Sequence, residues 1–252
     1  MKAALLRIRR FHLSRKLLEE LSDADRELFF LAGHVLNELN SLNNIVAWCL
    51  RSGSMADAGV CGMARGAQAM IYARLLAGKV LEAWEVLRTT WFARKPSQAF
   101  DMWLHPESAA ALAEIKGYFS RTNLLYTIRN SFAFHYSPGE IPKHWTDFVD
   151  GDHMQLILGG AISNNMNLAA ESLVNASVLR AAHPTDLEAG MERFVDEVHT
   201  MASHFNTFFE GVTLVLLRQM IGENFIEQGA EETISVESMY KDVRIPYFCA
   251  LD

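Results

Sequence analysis

Ser22-Asp23-Ala24-Asp25, followed by Leu28, Leu31, Val35, Leu39, Leu42, Val46 and Cys49, is the stretch on which the fold turns. A serine hydroxyl can accept a hydrogen bond from one of the first-turn N–H groups that a helix leaves unpaired, and aspartates suit the positive end of the helix dipole. Beyond this start the apolar residues recur at intervals of three and four, which places them on one stripe of a helix with 3.6 residues per turn. The spacing predicts a long amphipathic helix ending near Ser52-Gly53-Ser54.

The same rhythm continues downstream. A second helical pattern runs from about Asp57 to Phe92, with Met70, Trp84, Leu87 and Trp91 on or near one stripe. Gly59, Gly62, Gly66 and Gly78 weaken it, each at a cost of about 1 kcal/mol relative to Ala in a helix interior. Lys95-Pro96-Ser97 marks a boundary, and His105-Pro106-Glu107 starts a helix expected to reach Ser120, with proline where its missing N–H does no harm. Thr122-Asn123 opens a short helix through Leu124, Leu125, Ile128 and Phe132, which Ser137-Pro138-Gly139 must stop. From Glu140 to Gly160 the pattern lapses into an irregular connection, with Met154 to Leu158 as a candidate strand. Helix is expected again from about Ser163 to Ala182. His183-Pro184-Thr185 then introduces a last long helix, in which Phe194, Val198, Met201, Phe205, Phe208, Val212 and Val215 keep the rhythm to about Phe225. The expected fold is all-α, an up-and-down helical bundle with additional helices. It divides into a basic N-terminal helix or arm (1–21), a helical domain (22–226) and a C-terminal tail (227–252), which docks on the body or on a second subunit.

Half of the 252 residues are apolar and the formal charge is −7, so the surface is not basic throughout and any nucleic-acid contact must be local. Cys49, Cys61 and Cys249 are odd in number and widely spaced, which fits packing in a reducing compartment better than a disulfide framework. The first sixteen residues carry six Lys and Arg and no acid, but their apolar run, Ala3 to Leu6, is too short for a signal peptide or a membrane span. The expectation is a cytoplasmic protein. Its basic N-terminus serves either as a solvated or partner-facing helix face or as a phosphate-binding arm.

An Arg followed four to six residues later by His occurs three times: Arg7 with His12, Arg129 with His135, and Arg193 with His199. With 16 arginines and nine histidines, one or two such pairs are expected by chance, so the spacing alone decides nothing. The second pair differs in its surroundings. Asn130 follows the Arg directly and adds an amide that donates and accepts, whereas Ile8 and Phe194 follow the other two arginines. His135 is also expected at a helix end rather than inside a helix. Six residues at about 100° each leave Arg129 and His135 about 120° apart on an ideal helix. To act on one phosphate they need a distorted final turn or a second copy of the motif brought across a subunit interface, which makes a homodimer the natural form of the site.

The phrase Tyr126-Thr127-Ile128-Arg129-Asn130-Ser131-Phe132-Ala133-Phe134-His135-Tyr136 resembles the HEPN family, whose mark is R-x4-6-H, commonly with Asn, Asp or His after the Arg. The wider pattern, with Asn37, Asn40, Asn43 and Asn44 on one long helix, is similar to bacterial abortive-infection members. The resemblance implies a bundle that dimerises so that two motifs face a common cleft, and in many members a metal-independent endoribonuclease, a toxin or antiphage defence effector. It makes Arg129, Asn130 and His135 the catalytic candidates. His135 would pass a proton to assist 2′-OH attack or to release the 5′ oxygen, Arg129 would hold the scissile phosphate, and Asn130 would orient either partner. Tyr126 and Tyr136 are substrate-binding candidates that would stack on bases. The implied partners are RNA, a second copy and an antitoxin or regulatory protein, with no cofactor, no metal and no membrane.

Two other readings stay open. Arg129 makes an ordinary ion pair and His135 caps the helix, in which case the chain is a non-catalytic HEPN-like dimerisation or partner-binding module. A metal centre would draw on Asp196-Glu197-Val198-His199 and on His34 with Glu38, but a di-iron bundle requires two Glu-x-x-His elements and two further Glu.

Overall fold

The computed structural model describes residues 4–51, 59–94, 98–133, 154–236, 243 and 245–249. They are mostly helical and form an all-α helical-bundle fold. In chain order the elements are β1 (Ala4–Arg10), α1 (Arg15–Leu18), α2 (Asp23–Arg51), α3 (Val60–Val86) continuing as a π-helical run (Leu87–Phe92), α4 (Gln98–Trp103) and α5 (Pro106–Phe119). There follow α6 (Leu124–Ile128) with a second π-helical run (Arg129–Ala133), β2 (Leu156–Ile157), a 3-10 turn (Ile162–Asn164), β3 (Met166–Asn167), α7 (Leu168–Ala182), α8 (Leu187–Ile221), α9 (Phe225–Gln228) and β4 (Ala230–Val236).

The helix starts follow from local chemistry. Ser22 Oγ accepts from the Asp25 N–H at 3.1 Å and donates to the Asp25 carboxylate at 2.9 Å, which fixes the first turn of α2. His105 Nδ1 accepts from Glu107 N–H ahead of Pro106, the first residue of α5. Asp186 accepts from the N–H groups of Glu188 and Ala189 at the head of α8, and Gly222, at φ 106°, follows its last turn. α7 starts five residues later than the periodicity predicts, because Asn167 ends β3 and turns its side chain to accept from Ala170 N–H.

The chain divides into two compact units, and α2, α3 and α8 run through both. The first comprises residues 1–40, 82–121 and 201–242. Its core is aromatic: Phe205, Phe208 and Phe209 are fully buried, and Trp91 meets Phe208 and Phe100 edge-on at 5.0 and 4.9 Å. Trp84 stacks on Phe119 at 4.8 Å. Here the basic N-terminus, expected as a helix or an arm, is a strand over Ala4–Arg10. It pairs antiparallel with β4 from Ala4↔Val236 to Arg10↔Ala230, and helix is confined to the single turn of α1. Arg9 and Arg10 form ion pairs with Glu231 and Glu232 at 3.0 and 2.5 Å, so two of the six cations of the basic cluster are matched by the acidic part of the tail.

The second unit comprises residues 41–81, 122–200 and 243–252. Leu76, Ala77, Val80, Leu125, Ile128, Val178 and Phe194 form its buried interior. Arg74 lies within it, bonded to the Glu171 carboxylate at 2.8 Å and to the Asn175 amide oxygen. α8 passes so close to α7 that a Cβ at Gly190 would lie 2.4 Å from the Leu179 carbonyl oxygen. The apolar end of the tail docks inside this unit, where Tyr247 and Phe248 pack against Ala64, Ala67, Met166 and Leu168.

Candidate functional site

Arg129 and Asn130 follow α6 in the second unit. Asn123 starts that helix by accepting from Tyr126 N–H at 2.9 Å, and buried Leu124, Leu125 and Ile128 anchor it. This is the short helix the sequence predicts, up to its last turn. There the backbone changes to π geometry over Arg129–Ala133. A π run bonds i to i+5 and is frequent at functional sites, and over Arg129–Ala133 the rotation per residue falls below the ideal 100°.

Within this run both candidates are half-buried, and Arg129 Nη1 donates to Asn130 Oδ1 at 2.9 Å. The amide oxygen therefore faces the guanidinium, and its NH2 group is left as the donor end. Between Arg121 and His135, Arg129 is the only charged residue of the sequence. A planar guanidinium with five donors, oriented by a neighbouring amide, is suited to a phosphate or carboxylate group. Tyr126, one helical turn earlier, is 56 % exposed. His135 and Tyr136 lie outside the described residues, as does Pro138.

The other two Arg/His pairs have different settings. Arg7 is in β1, so the helical spacing to His12 does not exist there. Arg193 pairs with Glu197 at 2.7 Å and donates to the Ala182 carbonyl at 2.8 Å, an anchor between α8 and the end of α7. Compared with family models, curated proteins and solved structures, the chain matches none.

Among the described residues no three His, Cys, Asp or Glu side chains are grouped to hold a metal ion. His34 lies 3.6 Å from Glu38, His199 faces Asn43 at 3.4 Å, and Glu197 is engaged by Arg193. Met191, Arg193, Asp196 and His199 line an open groove on α8. Also among the described residues, no helix is long and apolar enough to cross a membrane. Among the described residues no cysteines are joined by a disulfide, and burial pushes the Cys49 thiol pKa up.

Sequence reasoning missed two polar constructions in this unit. One is the cluster of buried Arg74 with half-buried Glu171 and Asn175, whose only sequence signal is a cation inside the apolar stretch Ala73 to Ala77. The other is the Asn164-Asn165 turn that receives the tail, signalled by the Asn pair between Gly160 and Asn167.

Proposed function

We propose that the chain is a metal-independent endoribonuclease of HEPN type, a toxin or antiphage effector, with its site on Arg129, Asn130 and His135. The observation that supports this reading is the Arg129–Asn130 hydrogen bond in a π-distorted helix end, a half-buried guanidinium already oriented where the motif resemblance requires an anion-binding group. In the reaction the RNA 2′-oxygen gives up its proton and attacks the adjacent phosphorus. The bond to the 5′ oxygen breaks, that oxygen is protonated, and a 2′,3′-cyclic phosphate remains. Arg129 stabilises the charge growing on the phosphate oxygens, and His135 carries a proton near neutral pH. Across a homodimer cleft, Arg129 of one copy and His135 of the other act on the same phosphate.

Incubation of purified protein with RNA in excess chelator tests the reading. Cleavage with cyclic-phosphate ends is expected, falling about 10²- to 10⁴-fold in His135→Ala, the usual contribution of general acid–base catalysis. Cleavage by His135→Ala and Arg129→Ala unchanged from that of the unaltered protein would remove both residues from the mechanism. A dimer without cleavage would favour the non-catalytic module.

A further inference from the structure

The docking of the tail in the second unit is more specific than apolar contact requires. Asn164 binds the main chain of Cys249 at both ends: its Nδ2 donates to the Cys249 carbonyl at 2.7 Å and its Oδ1 accepts from the Cys249 N–H at 3.1 Å. Two residues earlier on the tail, Tyr247 Oη donates to the Asn165 carbonyl at 2.5 Å. Asn165 Oδ1 in turn accepts from Gly159 N–H at 2.8 Å, which ties the turn together. Gly159 is itself part of the fit, since a Cβ there would lie 2.7 Å from Asn164 Cβ and 3.0 Å from the Asn164 carbonyl oxygen. Beneath, Met63, Ala64, Ala67, Ile157, Met166 and Leu168 form an apolar floor for Tyr247 and Phe248, whose rings meet edge-on at 5.0 Å.

An amide that satisfies both main-chain groups of one residue reads an extended backbone rather than a particular side chain, as a neighbouring strand would. Selectivity then falls to the floor, which takes two adjacent aromatic rings. The seated segment is not sealed in: Tyr247 and Phe248 are half-buried, Cys249 is exposed, and each hydrogen bond in water changes an equilibrium by about tenfold.

We propose that this surface is a recognition groove for an extended peptide carrying two adjacent aromatic residues, with Tyr247–Cys249 as its resident and exchangeable ligand. A partner segment of the same chemistry displaces the tail and takes over its main-chain bonds and floor. The proposal is independent of the reading of Arg129 and His135.

Hydrogen exchange by mass spectrometry on the intact chain tests it, with a synthetic peptide of residues 245–252 carrying Cys249→Ser as competitor. Saturating peptide is expected to raise exchange of 245–249 about tenfold while 156–167 stays protected, because the groove remains filled. A peptide with Tyr247→Ala and Phe248→Ala should have no effect. Asn164→Ala should raise tail exchange about tenfold without peptide, and Gly159→Ala should do the same by displacing Asn164. Tail exchange unchanged by the peptide in the unaltered protein would overturn the proposal, as would tail exchange that speeds up only together with α8, the mark of global unfolding. A second copy offering its tail would instead appear as concentration-dependent dimerisation abolished by Asn164→Ala, and would replace exchange with a free partner.

Discussion

At the scale of single residues, the sharpest consequences lie where space or charge is tightly constrained. Gly190 allows α8 to pass the Leu179 carbonyl, and a methyl group there meets backbone that cannot rotate away. Gly190→Ala is therefore expected to destabilise the protein by about 1–3 kcal/mol, read as a lowered melting temperature. Glu27 gives a smaller, pH-linked effect. Its hydrogen bond and ion pair with Arg94 hold the carboxyl below its ordinary pKa, so the stabilisation is present above the unfolded-state value and is lost as pH falls through the lower folded-state value. Glu27→Gln should flatten the acid limb of melting temperature against pH. The pair is solvent-exposed, so the change is small and salt-sensitive. The prominence of Arg129 and Asn130 was legible because an amide directly follows the Arg, which sets this pair apart from Arg7 and Arg193. Their mutual hydrogen bond was not, since adjacent side chains on a regular helix do not face each other.

Elements differ in how plainly the chain announces them. α2, α5 and α8 were readable because a recognisable start precedes each, Ser22, His105-Pro106 and His183-Pro184-Thr185 respectively, although the residue that caps α8, Asp186, shows only in the structure. The π runs at Leu87–Phe92 and Arg129–Ala133 were not, because one extra residue per hydrogen-bonded loop leaves no compositional mark and shifts the apolar phase only locally. β1 was hidden for another reason. Leu6 and Ile8 alternate with Arg7 and Arg9, but a strand is stabilised by its partner, and that partner lies beyond position 229. Between α3 and α7, Arg74 and Glu171 set a strong expectation. The Arg74 side chain is 8 % exposed and that of Glu171 24 %, so Arg74→Ala leaves a half-buried carboxylate and amide oxygen without their donor and should cost about 1–3 kcal/mol in a denaturant titration. Restoring volume with Arg74→Met should recover part of that loss only when Glu171→Gln removes the stranded charge.

For the whole molecule, the all-α class was evident from periodicity, while the division into two units that share three long helices was not, since no linker composition marks it. The dimeric form of the proposed site makes its own prediction. Arg129→Ala and His135→Ala chains, each inactive alone, should regain a fraction of wild-type RNA cleavage when mixed, if each cleft takes its Arg and His from different copies. No recovery after verified subunit exchange would confine the site to one chain.

The β1–β4 ribbon also imposes an order of events during synthesis. Arg9 and its partner Glu231 are 222 residues apart, so at about 5–20 residues per second β1 waits about 10–45 s before its partner is made. For that interval the nascent strand presents an unpaired edge with Leu5, Leu6 and Ile8, the kind of segment that recruits neighbouring chains on a polysome. Arg7, Arg9 and Arg10 give it a like charge on every neighbouring copy, which keeps such strands apart until Glu231 and Glu232 arrive to neutralise two of the three.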